Sequence, residues 1–332
     1  MKYVILLIFL FSFDVLYAQT TFIIPPNNIV ECETKEEREA YKLKLKTMKA
    51  AYKASRKDSA KILNKITAHP ILAWPMRLSG EYESTIYNYF NIQNYTDQSS
   101  SPFTDLDYHC FERTYDGHDA ADINLWPFWW HMMDNNYVMA VAAAPGFILD
   151  KNDGNFDHNC TKTGSPNSIT IEHSDGSTTR YLHLKDGSLT TKAELQTVQE
   201  GEFLGYIGSS GRSSNPHLHF AVYDSTDNLV EPFFDASHAS CNIYNQETWW
   251  QNQRNYWEPQ INRIMTHSGP PSIGFCTNEE IMNAKNNFNS GNPIYTGIAF
   301  QDGQIGDVAS CKLIAPSGID FTIWNVILNT TN

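Results

Sequence analysis

Short apolar runs separated by Gly, Pro and Asn dominate the chain from Trp74 onward, a texture typical of a β-rich domain. The run at 138–149 predicts a strand, a turn and a second strand. Further strands, joined by Ser-Asp-Gly and Gly-Ser-Ser-Gly turns, are expected at 168–172, 178–184, 202–207 and 217–223. We therefore expect an antiparallel sheet that carries a cleft.

The strand expected at 217–223 alternates between two faces. Leu218, Phe220 and Val222 are predicted to face the core. The opposite, cleft-facing side would carry His217, His219, Ala221 and Tyr223. Because a slip of one residue would exchange the two faces, the register of this strand should be tightly fixed.

A charged helix is predicted N-terminal to this domain, from Thr34 to about residue 68. Thr34 and Glu37 have the spacing of a capping box. A narrow apolar stripe follows at helical spacing, formed by Tyr41, Leu45, Met48, Tyr52, Ile62 and Ile66. The stripe is expected to dock on the β domain, with pairing to another helix as the alternative.

Two pairs of residues have the spacing of metal ligands. His118 and Asp122 stand four apart, and the alternation of a strand aims both His217 and His219 at one face. Three protein ligands with one position left for water make a zinc ion catalytic, which His118, Asp122 and one of the paired histidines would satisfy. His183, after a short predicted strand, is a candidate second catalytic imidazole.

These motifs together resemble the lysostaphin/LytM-type zinc metallopeptidases of family M23, which have a duplicated hybrid motif fold. The resemblance rests on His118-x3-Asp122, Tyr181-Leu-His-Leu184, Gly205-Tyr-Ile-Gly-Ser-Ser-Gly211 and His217-Leu-His219, and it covers roughly residues 70 to 240. It implies one Zn²⁺ per chain, held by His118, Asp122 and His219. It also implies catalytic roles for His183 and His217, which would handle the attacking water and stabilise the oxyanion.

The implied function is that of a secreted bacterial zinc endopeptidase that hydrolyses peptide bonds, with peptidoglycan crosslinks as the family's usual substrate. Some members carry helical segments that cover the cleft, so the N-terminal helix could be autoinhibitory. The alternatives are a non-catalytic cell-wall or partner-binding module on the same scaffold, and a secreted adhesion or carbohydrate-binding protein. One departure is Ala120, where many members have Gly, and its methyl group could alter the loop.

The aromatic run at 126–133 follows directly after Asp122. Trp129 and Trp130 fit a wall of the substrate groove as well as a core cluster, since large aromatic side chains dominate buried cores. Trp126, next to Pro127, favours a structural role. The seven histidines outside the motifs are expected to be structural or surface residues.

Residues 1–18 resemble a secretory signal peptide, with one Lys, an apolar run and Ala18 at the expected cleavage site. The run is shorter than the roughly 20 residues that span a bilayer, so no integral membrane segment is expected in the mature chain. The formal charge of −13 argues against nonspecific nucleic-acid binding. We therefore expect a secreted, periplasmic or cell-surface protein, whose oligomeric state the sequence does not specify.

Six cysteines suit an oxidising compartment, and 15 full pairings are possible. We expect Cys110 to pair with Cys160, because both lie in loops near the predicted site, and Cys241 to pair with Cys276.

The fold class that we expect is mainly β: an antiparallel, sandwich-like peptidase domain with an N-terminal helix and a small C-terminal β module. The predicted divisions are a signal peptide at 1–18, a helical segment at 19–69, the peptidase domain at 70–265 and a β-rich module at 266–332. Residues 260–265 have helical spacing. The last module is shorter than the about 100 residues of a complete sandwich, which leaves open that it is incomplete.

Overall fold

The computed structural model describes residues 31–55, 68–80, 86–99, 101, 104–161, 163–274, 276, 279–314, 317–318 and 320–328. The predicted signal peptide and the part of the predicted helix from 56 to 67, with Ile62 and Ile66, lie outside the described residues. The described fold is mainly β and antiparallel, with an N-terminal helix, as predicted. No described helix has the length and apolar character needed to cross a lipid bilayer.

An eight-stranded antiparallel sheet forms the centre of the fold. Its strands are β2 (Phe90–Asn94), β3 (Ala121–Leu125), β5 (Gly146–Asn152), β6 (Ser168–Glu172), β7 (Thr178–Leu182), β8 (Thr197–Val198), β10 (His217–Tyr223) and β11 (Leu229–Val230). Their order is β2-β3-β10-β7-β6-β5-β8, and β11 pairs with the end of β10. The central position of β10, between β3 and β7, allows one strand to bring residues of both neighbours together.

The predicted alternation of β10 is confirmed on its apolar side. Leu218, Phe220 and Val222 belong to the main hydrophobic core. Ala221 and Tyr223 lie on the other face, in a small cluster with Ala120. All seven residues of β10 are buried, so the face that carries the histidines is covered as well.

A second, three-stranded sheet packs beside the first and consists of β1 (Met76–Leu78), β4 (Val138–Val141) and β9 (Phe203–Tyr206). Helix α2 (Trp129–Asp134) precedes β4. Trp126 and Trp129 are buried in the main core, and Trp130 packs against it from a partly buried position. The core interpretation therefore holds for Trp129, while the ring of Trp130 stacks on His158.

Two hairpins form the C-terminal region. The first joins β12 (Gln260–His267) to β13 (Tyr295–Gln301), and the second joins β14 (Val308–Ile314) to β15 (Asp320–Ile327). The prediction of a helix at 260–265 is wrong, because these residues belong to strand β12. Ile261 and Ile264, which suggested it, are about half exposed, whereas Asn262 is buried and donates hydrogen bonds to the Phe90 carbonyl and Gln301 Oε1.

The two disulfides connect distant parts of the chain. Cys110 pairs with Cys241 and Cys160 with Cys276, across Cα separations of 5.4 and 5.2 Å. The expected pairings are therefore wrong, because proximity to the same site did not determine which loops face each other. Cys32 and Cys311 are buried thiols.

Helix α1 (Lys35–Ser55) begins at the predicted capping box. The Thr34 amide donates to Glu37 Oε2 over 2.7 Å, and the Glu37 amide donates to Thr34 Oγ1 over 3.2 Å. The helix packs on β5, where the rings of Tyr52 and Phe147 lie 4.4 Å apart. We call residues 31–55 the arm; its docking on the β domain agrees with the prediction.

Candidate metal centre

Strand pairing brings the predicted metal ligands together. Asp122 lies on β3 directly opposite His219 on β10, and His118 lies in the loop that leads into β3. The side chains of Asp122 and His219 face the side of the sheet away from the main core. The structure thus places all three predicted ligands side by side, although they are up to 101 positions apart in sequence.

Hydrogen bonds orient each imidazole. The Nδ1–H of His118 donates to the Tyr95 carbonyl over 2.8 Å, because a carbonyl can only accept, and this leaves Nε2 facing Asp122 Oδ2 at 3.1 Å. On the other side, Nδ1 of His219 lies 3.0 Å from Asp122 Oδ1. One nitrogen of each ring therefore points at the same carboxylate.

This donor set fits a zinc ion. His118 Nε2 is fully buried and, within the described chain, has no partner in hydrogen-bonding geometry, which is costly unless a ligand occupies that direction. Ligand atoms of His118, Asp122, His219 and Cys32 all lie within 4.8 Å of one another. Two imidazoles and a carboxylate are typical donors to catalytic zinc.

Further residues support the ligands, and the sequence reasoning missed them. Asp119 Oδ1 lies 3.4 Å from His219 Nε2, and its other oxygen accepts a 2.5 Å hydrogen bond from the Tyr223 hydroxyl. Asn94 donates to Asp122 Oδ2. Such outer partners fix ring orientation and ligand basicity. The signal in the sequence was an acidic residue directly after His118, which the motif treats as variable.

The electrostatics keep Asp122 anionic. Its burial alone would raise the pKa, but the neighbouring imidazoles of His118, His217 and His219 outweigh burial and hold the pKa of Asp122 well below its usual value. An ionised carboxylate is the form that binds a metal. Ala120, which replaces the usual Gly, does not have a positive φ and is buried beside Ala221, so its methyl group fits the loop without backbone strain.

His183 and His217 lie next to the candidate ligands with ring centroids 4.5 Å apart. Each donates Nδ1–H to a backbone carbonyl, His183 to Ser210 over 2.7 Å and His217 to Asn215 over 2.7 Å, so that both Nε2 atoms point inward. His183 also has a φ of 65°, a conformation that costs energy for any residue except Gly and is frequent at functional sites.

Cys32, from the arm, lies among these five residues. Its Sγ is 3.7 Å from His217 Nε2 and 4.0 Å from Asp122 Oδ1. Its backbone amide donates to the hydroxyl of Tyr115, whose ring stacks on His118. No sequence motif indicates this position of Cys32, which the sequence suggests only as one of six cysteines that could form disulfides.

Charged contacts hold the arm on both sides of Cys32. Glu33 forms a bidentate ion pair with Arg180, at 2.8 and 3.0 Å, and both side chains are buried. Arg212 Nε donates to the Glu31 carbonyl over 3.0 Å. The arm therefore covers the site, and His118, His183 and His219 have at most 1% of their surface exposed.

A second group of possible ligands lies at the edge of the domain. His109 and His238 each approach Asp235 Oδ2 to 2.7 Å, and all three residues are only partly buried. Two further groups of donors overlap the first, one formed by Glu33, Asp119 and His219 and the other by Cys32, His183 and His217. Among described residues, the first group combines complete burial with the predicted motif.

Part of the chain is similar to known peptidases. Residues 134–232 match the sequence model of Peptidase family M23. The DD-carboxypeptidase/endopeptidase Mpg of Neisseria meningitidis serogroup B is 44% identical over 59 residues, which are 18% of this chain and 13% of that protein. The peptidoglycan DD-endopeptidase ShyB of Vibrio cholerae is 45% identical over 56 residues, or 17% and 12% of the two chains.

The solved structures are less similar to this chain in sequence than these relatives are. A zinc-containing peptidase from Vibrio cholerae is 22% identical, with a TM-score of 0.29 over 49% of this chain and 39% of the other. The catalytic domain of lysostaphin from Staphylococcus simulans is 17% identical, with a TM-score of 0.28 over 47% and 96%.

Residues 134–232 therefore resemble a peptidase of family M23. The matched span includes His183, His217 and His219 but begins after His118 and Asp122, so these two residues rest on the motif and the geometry. The matched segment covers about an eighth of the length of the curated relatives.

Proposed function

We propose that this protein is an exported zinc endopeptidase that hydrolyses peptide bonds in peptidoglycan crosslinks. The observation that carries the proposal is the convergence of His118, Asp122 and His219 on one buried point, directly beside His183 and His217. The matches to a DD-carboxypeptidase/endopeptidase and a peptidoglycan DD-endopeptidase support the substrate class.

In this proposal His118 Nε2, Asp122 and His219 Nδ1 hold one zinc ion. Bound zinc supplies Lewis acidity, which polarises a peptide carbonyl and acidifies water. Asp119 would hold His219 in the orientation that keeps Nδ1 directed at the ion, since it faces the other ring nitrogen.

His183 and His217 would transfer protons and stabilise charge. Because each donates Nδ1–H to a backbone carbonyl, each presents Nε2 to the reacting atoms. A neutral Nε2 can accept a proton from the attacking water, and a protonated one can donate a hydrogen bond to the oxyanion or a proton to the leaving amine. Two imidazoles side by side can therefore divide the acid and base roles.

The site would act outside the cytoplasm. The relatives that act on peptidoglycan, the two disulfides and the predicted signal peptide all agree with export to the periplasm or cell surface. The substrate would then be a peptide that reaches the sheet face once the arm has moved aside.

Product analysis by mass spectrometry tests this function. The zinc-loaded chain and its Cys32→Ala variant are incubated with crosslinked peptidoglycan fragments, with and without a chelator. We expect cleavage within the crosslinking peptides, abolished by chelation and reduced at least about a hundredfold by His217→Ala or His183→Ala, the usual range for a general acid or base.

His69→Ala serves as the matched control, because His69 stacks on Trp249 away from the site and its loss should leave cleavage unchanged. If the zinc-bound Cys32→Ala protein releases no product, this result would contradict the proposed endopeptidase function. Binding of that protein to intact peptidoglycan would then favour the non-catalytic cell-wall module.

A further inference from the structure

We propose that Cys32 is a fourth protein ligand of the zinc, and that it holds the enzyme latent by closing the position that water and substrate need. The inference rests on zinc binding at the proposed site but not on the identity of the substrate.

The position of the sulfur is the first argument. Cys32 Sγ belongs to one group of candidate donors with His118, Asp122 and His219 and to a second with His183 and His217. It therefore lies between the proposed ligands and the proposed acid–base pair. Donor atoms on a tetrahedral zinc ion are separated by roughly 3.3–3.8 Å, and the 4.0 Å between Sγ and Asp122 Oδ1 is close to that range.

The chemistry of the donor is the second argument. Thiolate sulfur binds zinc strongly, and a site with four protein ligands has the closed form of structural zinc rather than the open form of catalytic zinc. On ligation the thiol gives its proton to solvent and the sulfur excludes one water from the site. Withdrawal of Cys32 reverses both changes, with no oxidant or reductant involved.

The arm also positions Cys32 through contacts on both sides. Before it, Glu31 is held by Arg212, and after it, Glu33 is held by the buried Arg180. Further along the arm, Lys49 Nζ lies 2.5 Å from Asp227 Oδ1. These contacts hold the sulfur at the site without any covalent link among the described residues, so cleavage or displacement of the arm would open the site.

Cobalt substitution tests the ligand directly, because a thiolate bound to Co²⁺ gives a near-ultraviolet charge-transfer band that nitrogen and oxygen ligands do not give. We expect the band in the cobalt-loaded full chain and in Cys311→Ser, a matched control that removes the other buried thiol. The band should be lost in Cys32→Ala, while the visible bands of bound Co²⁺ remain. Zinc-loaded Cys32→Ala should cleave peptidoglycan fragments at least about tenfold faster than the wild type, since activity scales with the fraction of open sites.

X-ray absorption at the zinc edge gives a second test that needs no variant, and it should find one sulfur at about 2.3 Å. The role of Cys32 would be overturned if the metal binds but the cobalt spectrum lacks the charge-transfer band or X-ray absorption finds no sulfur bound to zinc. It would also be overturned if the band persists in Cys32→Ala. Failure of the chain to bind cobalt or zinc would overturn this inference and the proposed function together. A thiolate band with no cleavage by Cys32→Ala would support the ligand and overturn the endopeptidase.

Discussion

The central sheet and the arm both contribute to the candidate metal centre, but different forces hold them in place. In β3, β6, β7 and β10 every residue is buried. In the described part of the arm, the buried apolar side chains are Cys32 and Leu45. The sheet is thus fixed by removal of apolar surface from water, whereas the arm is held mainly by charges and hydrogen bonds. We therefore expect the arm to be the part that can leave while the sheet keeps its fold.

The contacts of the arm also differ among themselves. Glu33 and Arg180 are both buried, so the loss of either partner leaves a charge without compensation. Lys44 pairs with Asp150 from a side chain that is half exposed, and such pairs contribute little and weaken in salt. The end of the arm next to Cys32 is therefore the firmly held end.

The largest expected effect comes from the ligands on the sheet. Asp122→Asn removes the carboxylate that faces both imidazoles, and we expect it to reduce zinc affinity and peptide hydrolysis by more than about a hundredfold, beyond the loss typical of residues that only orient a ligand. Zinc content after dialysis and product formation measure the change. Unaltered zinc content in a folded Asp122→Asn protein would show that the ion binds elsewhere.

Truncation of a buried side chain should affect the free energy of unfolding differently in the central sheet and in the arm. Phe220 is fully buried on the apolar side of β10, so Phe220→Ala should lower the free energy of unfolding by about 3–5 kcal/mol. Leu45→Ala should mainly loosen α1, because the helix docks on the sheet from outside. Denaturant unfolding together with hydrogen exchange measures both, and equal global destabilisation by the two variants would contradict the distinction.

Release of the arm is the next test. Glu33→Gln leaves Arg180 buried without its ion pair, a loss of about 3–5 kcal/mol that we expect to appear as undocking of the arm rather than as unfolding of the sheet. Amide exchange in α1 should accelerate strongly while exchange in β10 stays slow. The control is Lys44→Ala, for which the expected loss is within about 1 kcal/mol; similar effects of both variants would argue against a firm inner contact.

The smallest effect concerns the pH dependence of the sheet. Glu231 directly follows β11, and its burial raises its pKa to about 8. The hydrogen bonds that it accepts from the Phe233 and Thr96 amides lower the pKa, but burial outweighs them. The folded protein therefore keeps a proton that the unfolded chain loses near pH 4.3. The stabilisation is complete below that pH and is lost as the pH rises toward 8, with a slope of at most about 1.4 kcal/mol per pH unit.

Urea titrations from pH 5 to pH 8 measure this slope, and Glu231→Gln should flatten it. A slope that is unchanged in this variant would assign the dependence to other groups. Docking of the arm, followed by exchange in α1, should not share the dependence on Glu231.

Much of the sheet could be predicted because its signals are local. The alternation of apolar and polar positions in 217–223 determined which residues of β10 face the core, and Thr34 and Glu37 specified the start of α1. The candidate ligands were also predictable, since His118, Asp122 and His219 stand in recognisable motifs. Their predicted positions agree with the geometry, while their roles stay predictions.

The remaining features depend on contacts between distant segments. The disulfide partners could not be predicted because the loops that carry Cys110 and Cys241 meet only in the folded chain. The position of Cys32 depends on the contacts of its neighbours Glu33 and Glu31 with Arg180 and Arg212, which follow it by more than 140 residues. In 260–265, the isoleucines that imitate a helical stripe are exposed on a strand. Each of these errors comes from tertiary contacts that outweighed a local pattern.

The central claim is that one zinc ion binds among His118, Asp122 and His219, and a crystal of the zinc-loaded full chain tests it most directly. Anomalous difference maps recorded on either side of the zinc absorption edge locate the ion without assumptions about its ligands. The account predicts one strong peak within bonding distance of His118 Nε2, Asp122, His219 Nδ1 and Cys32 Sγ. A peak only at the cluster of His109, Asp235 and His238, or none at the buried site, would contradict it.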